Sequence, residues 1–311
     1  MLGSAFRLTA LLAAATLVSG GAARAAGAPL LVPAAAPALQ GPVIIAGYRG
    51  GLEYWPLGPK GSKTPTQIKG LSDVHTTYGL AAAGQHVVIA DGNKTVVFDL
   101  RTQHETVLPD TTGFAADVAI GKNGAIYVAN IIANGKAGDV LVYPENGNPY
   151  SLECGLLKEP AYIALDNEGN VFLNDVVRTQ IVEIPVSGKC APLALSPGES
   201  GYAAGVAIDP KTDDLLVLDD PDYCAGGIEG RLTTYRKPYE KGIGRSLDLG
   251  YSCSGSLRLN ADSSLVFIGD QDVSAGRSFI LQRTYPEGKA LGSFFGGSPY
   301  GFTTIPNRLP N

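Results

Sequence analysis

Residues 117–130 read Asp117-Val118-Ala119-Ile120-Gly121-Lys122-Asn123-Gly124-Ala125-Ile126-Tyr127-Val128-Ala129-Asn130, a short apolar run, a polar turn with two glycines, a second apolar run and a closing amide. Apolar runs this short, bounded by turn residues, read as strands and not helices. The Asn-Gly pair between them supplies the backbone conformation that a tight hairpin needs. The same pattern returns at 78–91 ("YGLAAAGQHVVIAD"), 161–175 ("AYIALDNEGNVFLND"), 205–220 ("GVAIDPKTDDLLVLDD") and 256–270 ("SLRLNADSSLVFIGD"). First strands are expected to begin at Gly79, Asp117, Tyr162, Gly205 and Ser256, a loose period of about 45 residues that suits a repeat with variable loops.

Each copy runs on into a third strand with an apolar stripe, such as "TVVFDL", "DVLVYP" and "QIVEIP", and then into a weaker fourth. A single four-stranded meander cannot bury both of its faces, and radial packing of several around an axis covers them all. The expected fold is all-β, a six-bladed β-propeller of four-stranded antiparallel blades. Residues 43–70 supply three further strands without a first one, and the tail "PYGFTTIP" matches a first strand, with Gly301 in register with Gly79 and Gly205. The C-terminal strand is therefore expected to join the N-terminal blade. A five-bladed ring would leave both chain ends as exposed strand edges.

The rest of the chain bounds what such a domain does. Arg7, a largely apolar stretch from Leu8 to Val18 and the small residues Ala23 and Ala25 ahead of Ala26 mark residues 1–25 as a secretory signal peptide. Its apolar stretch is too short for the ~20 residues of a membrane span. The Ala/Pro-rich residues 26–41 read as a linker, and 42–306 as one propeller domain. Secretion or a periplasmic location follows. A formal charge of −5 without a run of Lys or Arg argues against nucleic acid.

In an oxidising compartment the four cysteines favour disulfides. Cys224, in a long loop of the fifth blade, and Cys253, after that blade's fourth strand, are expected to pair on one face. Cys154 and Cys190 fall at the end and at the start of fourth strands, on opposite faces, so either the strand register shifts there or this pair is unbonded.

The repeat, "DVAIGKNGAIYVAN" and "YIALDNEGNVFLND" above all, resembles the NHL-repeat and SMP-30/gluconolactonase-like family of six-bladed propellers, over nearly the whole mature chain. Second strands end at the channel mouth in a polar ring that includes Asp91, Asn130, Asn174, Asp175, Asp219 and Asp270. Converging carboxylates and amides suit a divalent cation such as calcium, while Asp and Asn at strand ends equally make turns to their own backbone. The resemblance implies a metal that polarises an ester carbonyl; from the residues around the mouth, Asp117, Asn174 and Asp219 are the expected ligands and Asp175 or Asp270 the base. The Glu-Gly-Pro that the family's lactonases carry on the opening strand is absent; Glu159-Pro160 is its nearest echo. Of the three histidines only His75 is placed at the mouth. Two functions stand side by side: an exported module that binds a protein, peptide, glycan or small molecule at the channel mouth, and a metal-dependent hydrolase or lyase acting on a small ester, lactone or sugar-derived substrate.

Overall fold

In the computed structural model, the stretch 117–130 is the hairpin its sequence predicts, with Val118 opposite Val128, Ala119 opposite Tyr127 and Ile120 opposite Ile126. The structure describes residues 41–306 except 49, 58–63, 73, 110–112, 134, 196–201, 221–229, 240–244, 249–252, 273–276, 297 and 299. The expected signal peptide, and the expected linker up to residue 40, lie outside the described residues.

Blade 1 holds β1 (Val43–Tyr48), β2 (Gly51–Pro56) and β3 (Thr66–Ile68), and blade 2 holds β4 (Gly79–Ala83), β5 (His86–Ala90), β6 (Thr95–Asp99) and β7 (His104–Leu108). Blade 3 follows with β8 (Gly113–Ile120), β9 (Ile126–Ala133), β10 (Lys136–Tyr143) and β11 (Tyr150–Leu152). Blade 4 has β12 (Pro160–Leu165), β13 (Val171–Asp175), β14 (Gln180–Ile184) and β15 (Ala191–Pro192). Blade 5 has β16 (Tyr202–Ile208), β17 (Leu215–Asp220), β18 (Arg231–Tyr235) and β19 (Arg245–Asp248). Blade 6 has β20 (Ser254–Leu259), β21 (Leu265–Asp272), β22 (Arg277–Thr284) and β23 (Ala290–Phe295), and the chain ends with β24 (Phe302–Ile305). The described strands form six four-stranded antiparallel sheets, and β24 pairs with β1 to open the order β24-β1-β2-β3 in blade 1. Val43 lies opposite Ile305 and Ala46 opposite Phe302, as the tail's likeness to a first strand requires.

In blades 3 to 6 the first strand starts before the repeat motif, and its pairing shifts register between Ala115 and Asp117, Pro160 and Tyr162, Ala203 and Val206, and Ser254 and Leu257. A bulge inserts a residue and breaks the side-chain alternation. The motif becomes legible only after the bulge.

The core is a set of seams between blades. On β5, Val87 and Ile89 pack toward blade 1, while Val88 and Ala90 pack toward blade 3. Corresponding clusters join blades 3 and 4, 4 and 5, 5 and 6, and 6 and 1. Because both faces are buried, the strands are continuously apolar instead of alternating.

First strands lie next to one another around the axis, and β24 touches both β20 and β4. Their glycines have a steric cause. A Cβ on Gly79 would come within 2.5 Å of the Asp117 Cα, one on Gly205 within 2.7 Å of the Leu257 nitrogen, and one on Gly301 within 2.9 Å of the Thr77 carbonyl oxygen. Backbone meets backbone at this radius.

Cys154 and Cys190 are disulfide-bonded across the seam of blades 3 and 4, with Cα atoms 5.9 Å apart. This corrects the expectation of opposite faces. Successive strands rotate by about 20–25°, so by the fourth strand the ends no longer belong to the top or bottom of the ring. Cys253 is buried and disulfide-bonded, and its expected partner Cys224 lies outside the described residues.

Closure by β24 carries a measurable stability. Phe302 is fully buried among Ile44, Trp55, Phe267 and Phe294, so Phe302→Ala is expected to cost about 3–5 kcal/mol in urea unfolding. Deletion of residues 297–311 should lower the midpoint further, by also exposing the edge of β1.

Candidate functional site

The third residue of each first-strand motif faces the axis. Ala81, Ala119, Ala164, Ala207, Arg258 and Thr303 occupy it, and all six line a narrow central channel of about 120 Å³. Small residues let the strands converge, and Arg258 fills the space they leave. Its guanidinium donates from Nη2 to Asp117 Oδ1 at 2.7 Å and to the Leu80 carbonyl at 3.1 Å, which ties blade 6 to blades 2 and 3 across the axis. Asp117 also accepts the amides of Val118 and Ile163 and is fully buried. Burial pushes its carboxyl up from the ordinary value, against the pull of Arg258 and the two amides. Sequence reasoning missed Arg258, although an Arg where four sister strands carry Ala was a visible signal.

The remaining members of the expected ring also have partners within the protein. Asn174 donates to the Ala204 carbonyl of the next blade at 2.6 Å. Asp219 pairs with Arg231, directly opposite it on β18, at 3.0 Å. Asp175 accepts the amides of Lys158 and Arg178, and Asp270 those of Cys253 and Gln271. Asp91 does the same for His75 and Thr76. A carboxylate at the end of a second strand thus holds the loop that enters the first strand of its own blade, in blades 2, 4 and 6.

These side chains do not fit a cation. A guanidinium sits on Asp117 and another on Asp219, and the carboxylates of Asp175 and Asp270 face amide donors. Among the described residues no group of three or more His, Cys, Asp or Glu side chains could hold a metal ion. Asp166, Glu168 and Asp213 do converge on the opposite face, but around Lys237, whose ammonium lies 3.0 to 3.1 Å from each.

A larger opening lies where the ring closes. A cleft of about 780 Å³ is lined by Tyr48, His75, Thr77, Arg277, Phe295 and Ser298, among others. It is built from the end of β1, the loop entering β4, the start of β22, the end of β23 and the segment leading into β24. Ser298 holds these pieces together by donating its amide to the Gly47 carbonyl at 2.8 Å and its hydroxyl to that of Thr77 at 3.1 Å. Behind the cleft wall Glu53 is 3 % exposed. Its Oε1 has no hydrogen-bond partner and lies 3.5 Å from where a Cβ on Gly296 would stand. Burial pushes its carboxyl up to about 7.

No known protein family matches the chain by sequence, and no curated protein does. Solved structures match the fold. A protein of unknown function from Bacteroides caccae shares 14 % identity at a TM-score of 0.64, over 86 % of this chain and all of that one. A putative TolB from Agrobacterium tumefaciens gives 12 % and 0.60, over 83 % and 91 %. A catalytically inactive virginiamycin B lyase from Staphylococcus aureus, with quinupristin, gives 13 % and 0.54, over 79 % and 84 %. At these identities the likeness is one of fold.

Asp117→Ala strands the Arg258 guanidinium and should cost about 3–5 kcal/mol, less in the Asp117→Ala/Arg258→Ala pair, while a chelator leaves wild-type unfolding unchanged. Glu53 titrates near 4.5 when unfolded and near 7 when folded. Its stabilising contribution is therefore complete below pH 4.5 and is lost as the pH rises through 7. Relative to Glu53→Gln, the wild type should lose roughly 2–3 kcal/mol between pH 4.5 and 8, read from urea unfolding at both.

Proposed function

We propose that the protein is an exported propeller that works as a binding module through its mouth face, with the cleft at the closure seam as the place of recognition. The cleft carries this reading: His75, Arg277 and the Phe295 ring line it and are exposed, whereas the carboxylate ring is committed to loops and neighbouring strands. Export rests on the N-terminal leader and on the presence of disulfides. The repeat resembles that of NHL-repeat and SMP-30-like propellers, a relation of repeat and fold.

A metal-dependent hydrolase needs cation ligands free of other partners, and Arg258 and Arg231 already neutralise two of the expected three. A lyase reading, prompted by the virginiamycin B lyase neighbour, would need His75 as its mouth histidine. His75 is exposed in the cleft, and among the described residues no carboxylate pairs with its imidazole to fix its orientation.

The mature protein should therefore leave δ-gluconolactone unhydrolysed with calcium, zinc or manganese added. Metal-dependent turnover would replace the binding reading with the hydrolase. Expressed with its leader in a bacterium, the exported protein should begin at Ala26 on N-terminal sequencing.

A further inference from the structure

The seam cleft has a chemistry of its own. The protein is acidic overall, with a formal charge of −5, but none of the described residues lining the cleft is Asp or Glu. Its charged lining residue is Arg277, exposed and without an ion-pair partner among the described residues. An Arg guanidinium presents a planar fork of donors that matches a carboxylate. Beside it the Phe295 ring is 58 % exposed, resting with its centroid 6.1 Å from that of Phe279. A large aromatic left open inside a concave site is a surface for another flat apolar group.

The floor is closed by Thr77, 6 % exposed and wedged between Gly47 and Gly301. Two acids lie behind the wall without adding charge to the opening. Asp91 is occupied by the amides of His75 and Thr76, and burial keeps Glu53 largely protonated below about pH 7.

We propose that the seam cleft binds a small aromatic carboxylate, with its carboxylate on the Arg277 guanidinium and its ring against Phe295. This deepens the mouth-face reading and rests on it. Because the cleft draws on blade 1, the loop entering blade 2, blade 6 and the segment before β24, the ligand bridges the two ends of the chain and raises the unfolding temperature.

The test uses the mature protein with phenylacetate and its neutral counterpart phenylacetamide, followed by amide chemical shifts and thermal unfolding. Phenylacetate should shift the Thr76, Ser278 and Gly296 resonances and raise the melting temperature, with phenylacetamide about tenfold weaker. Arg277→Gln should reduce the acid to the amide's affinity while its ligand-free melting temperature stays that of the wild type; Arg277→Lys should keep part of the preference. Equal binding of acid and amide at the cleft, or indifference to Arg277→Gln, overturns the carboxylate proposal and leaves the mouth-face reading standing. Silence of both probes at the cleft up to about 10 mM overturns the aromatic-carboxylate proposal and leaves the mouth-face reading, which admits proteins, peptides and glycans, to its own test.

Discussion

The pairing of β24 with β1 is the interaction on which the rest depends. Blade 1 is the only sheet among the described residues whose strands come from both ends of the chain, so each other seam is held in place by a ring that this pairing closes. Without it β1 would present an open edge of backbone donors and acceptors. Phe302 would also leave the cluster that joins blade 6 to blade 1. The glycines near the axis belong to the same constraint. First strands can form a tight ring only where backbone approaches backbone: a Cβ on Gly79 or Gly205 would meet the next first strand, and one on Gly301 the loop entering β4.

A polar ring around a propeller mouth invites a catalytic or metal-binding reading, and its members here have another use. Asp91, Asp175 and Asp270 each accept amides from the loop entering their own blade. The recurrence of one hydrogen-bond pattern in three blades explains why an acid recurs at the end of the second strand. Asp117 and Asp219 answer to arginines instead. In a repeat protein a recurring residue is first evidence of what each repeat needs to fold, whereas a site stands out where the repeat is broken. Both breaks are informative: Arg258 stands where four sister strands carry Ala and reaches across the channel to Asp117 and Leu80, and at the closure seam, where the segment leaving blade 6 enters β24, a cleft opens.

The strands, their order within each blade, the six-fold count and the role of the tail were legible in the sequence, because hairpin turns, short apolar runs and their spacing are local properties of the chain. Strand starts in blades 3 to 6 were legible only to the bulge, beyond which alternation is lost. The carboxylates were legible as a set but not in their purpose, since "AD" or "ND" at a strand end reads the same whether it holds an amide or a cation. Cys154 and Cys190 were misplaced because a top-and-bottom picture of the ring ignores the twist that accumulates from strand to strand.

What the sequence by itself determined was the fold, down to which segment closes it. What only the tertiary structure decided was which distant residues meet: Arg258 with Asp117 across the axis, Cys154 with Cys190 across a seam, Glu53 behind Gly296, and Tyr48, His75, Arg277 and Phe295 around one cleft. The division has a physical reason. Secondary structure follows from neighbours a few residues apart, whose geometry the backbone fixes. Contacts between blades depend on twist, bulges and the closeness of packing at the axis, and these are set only when all six sheets press against one another.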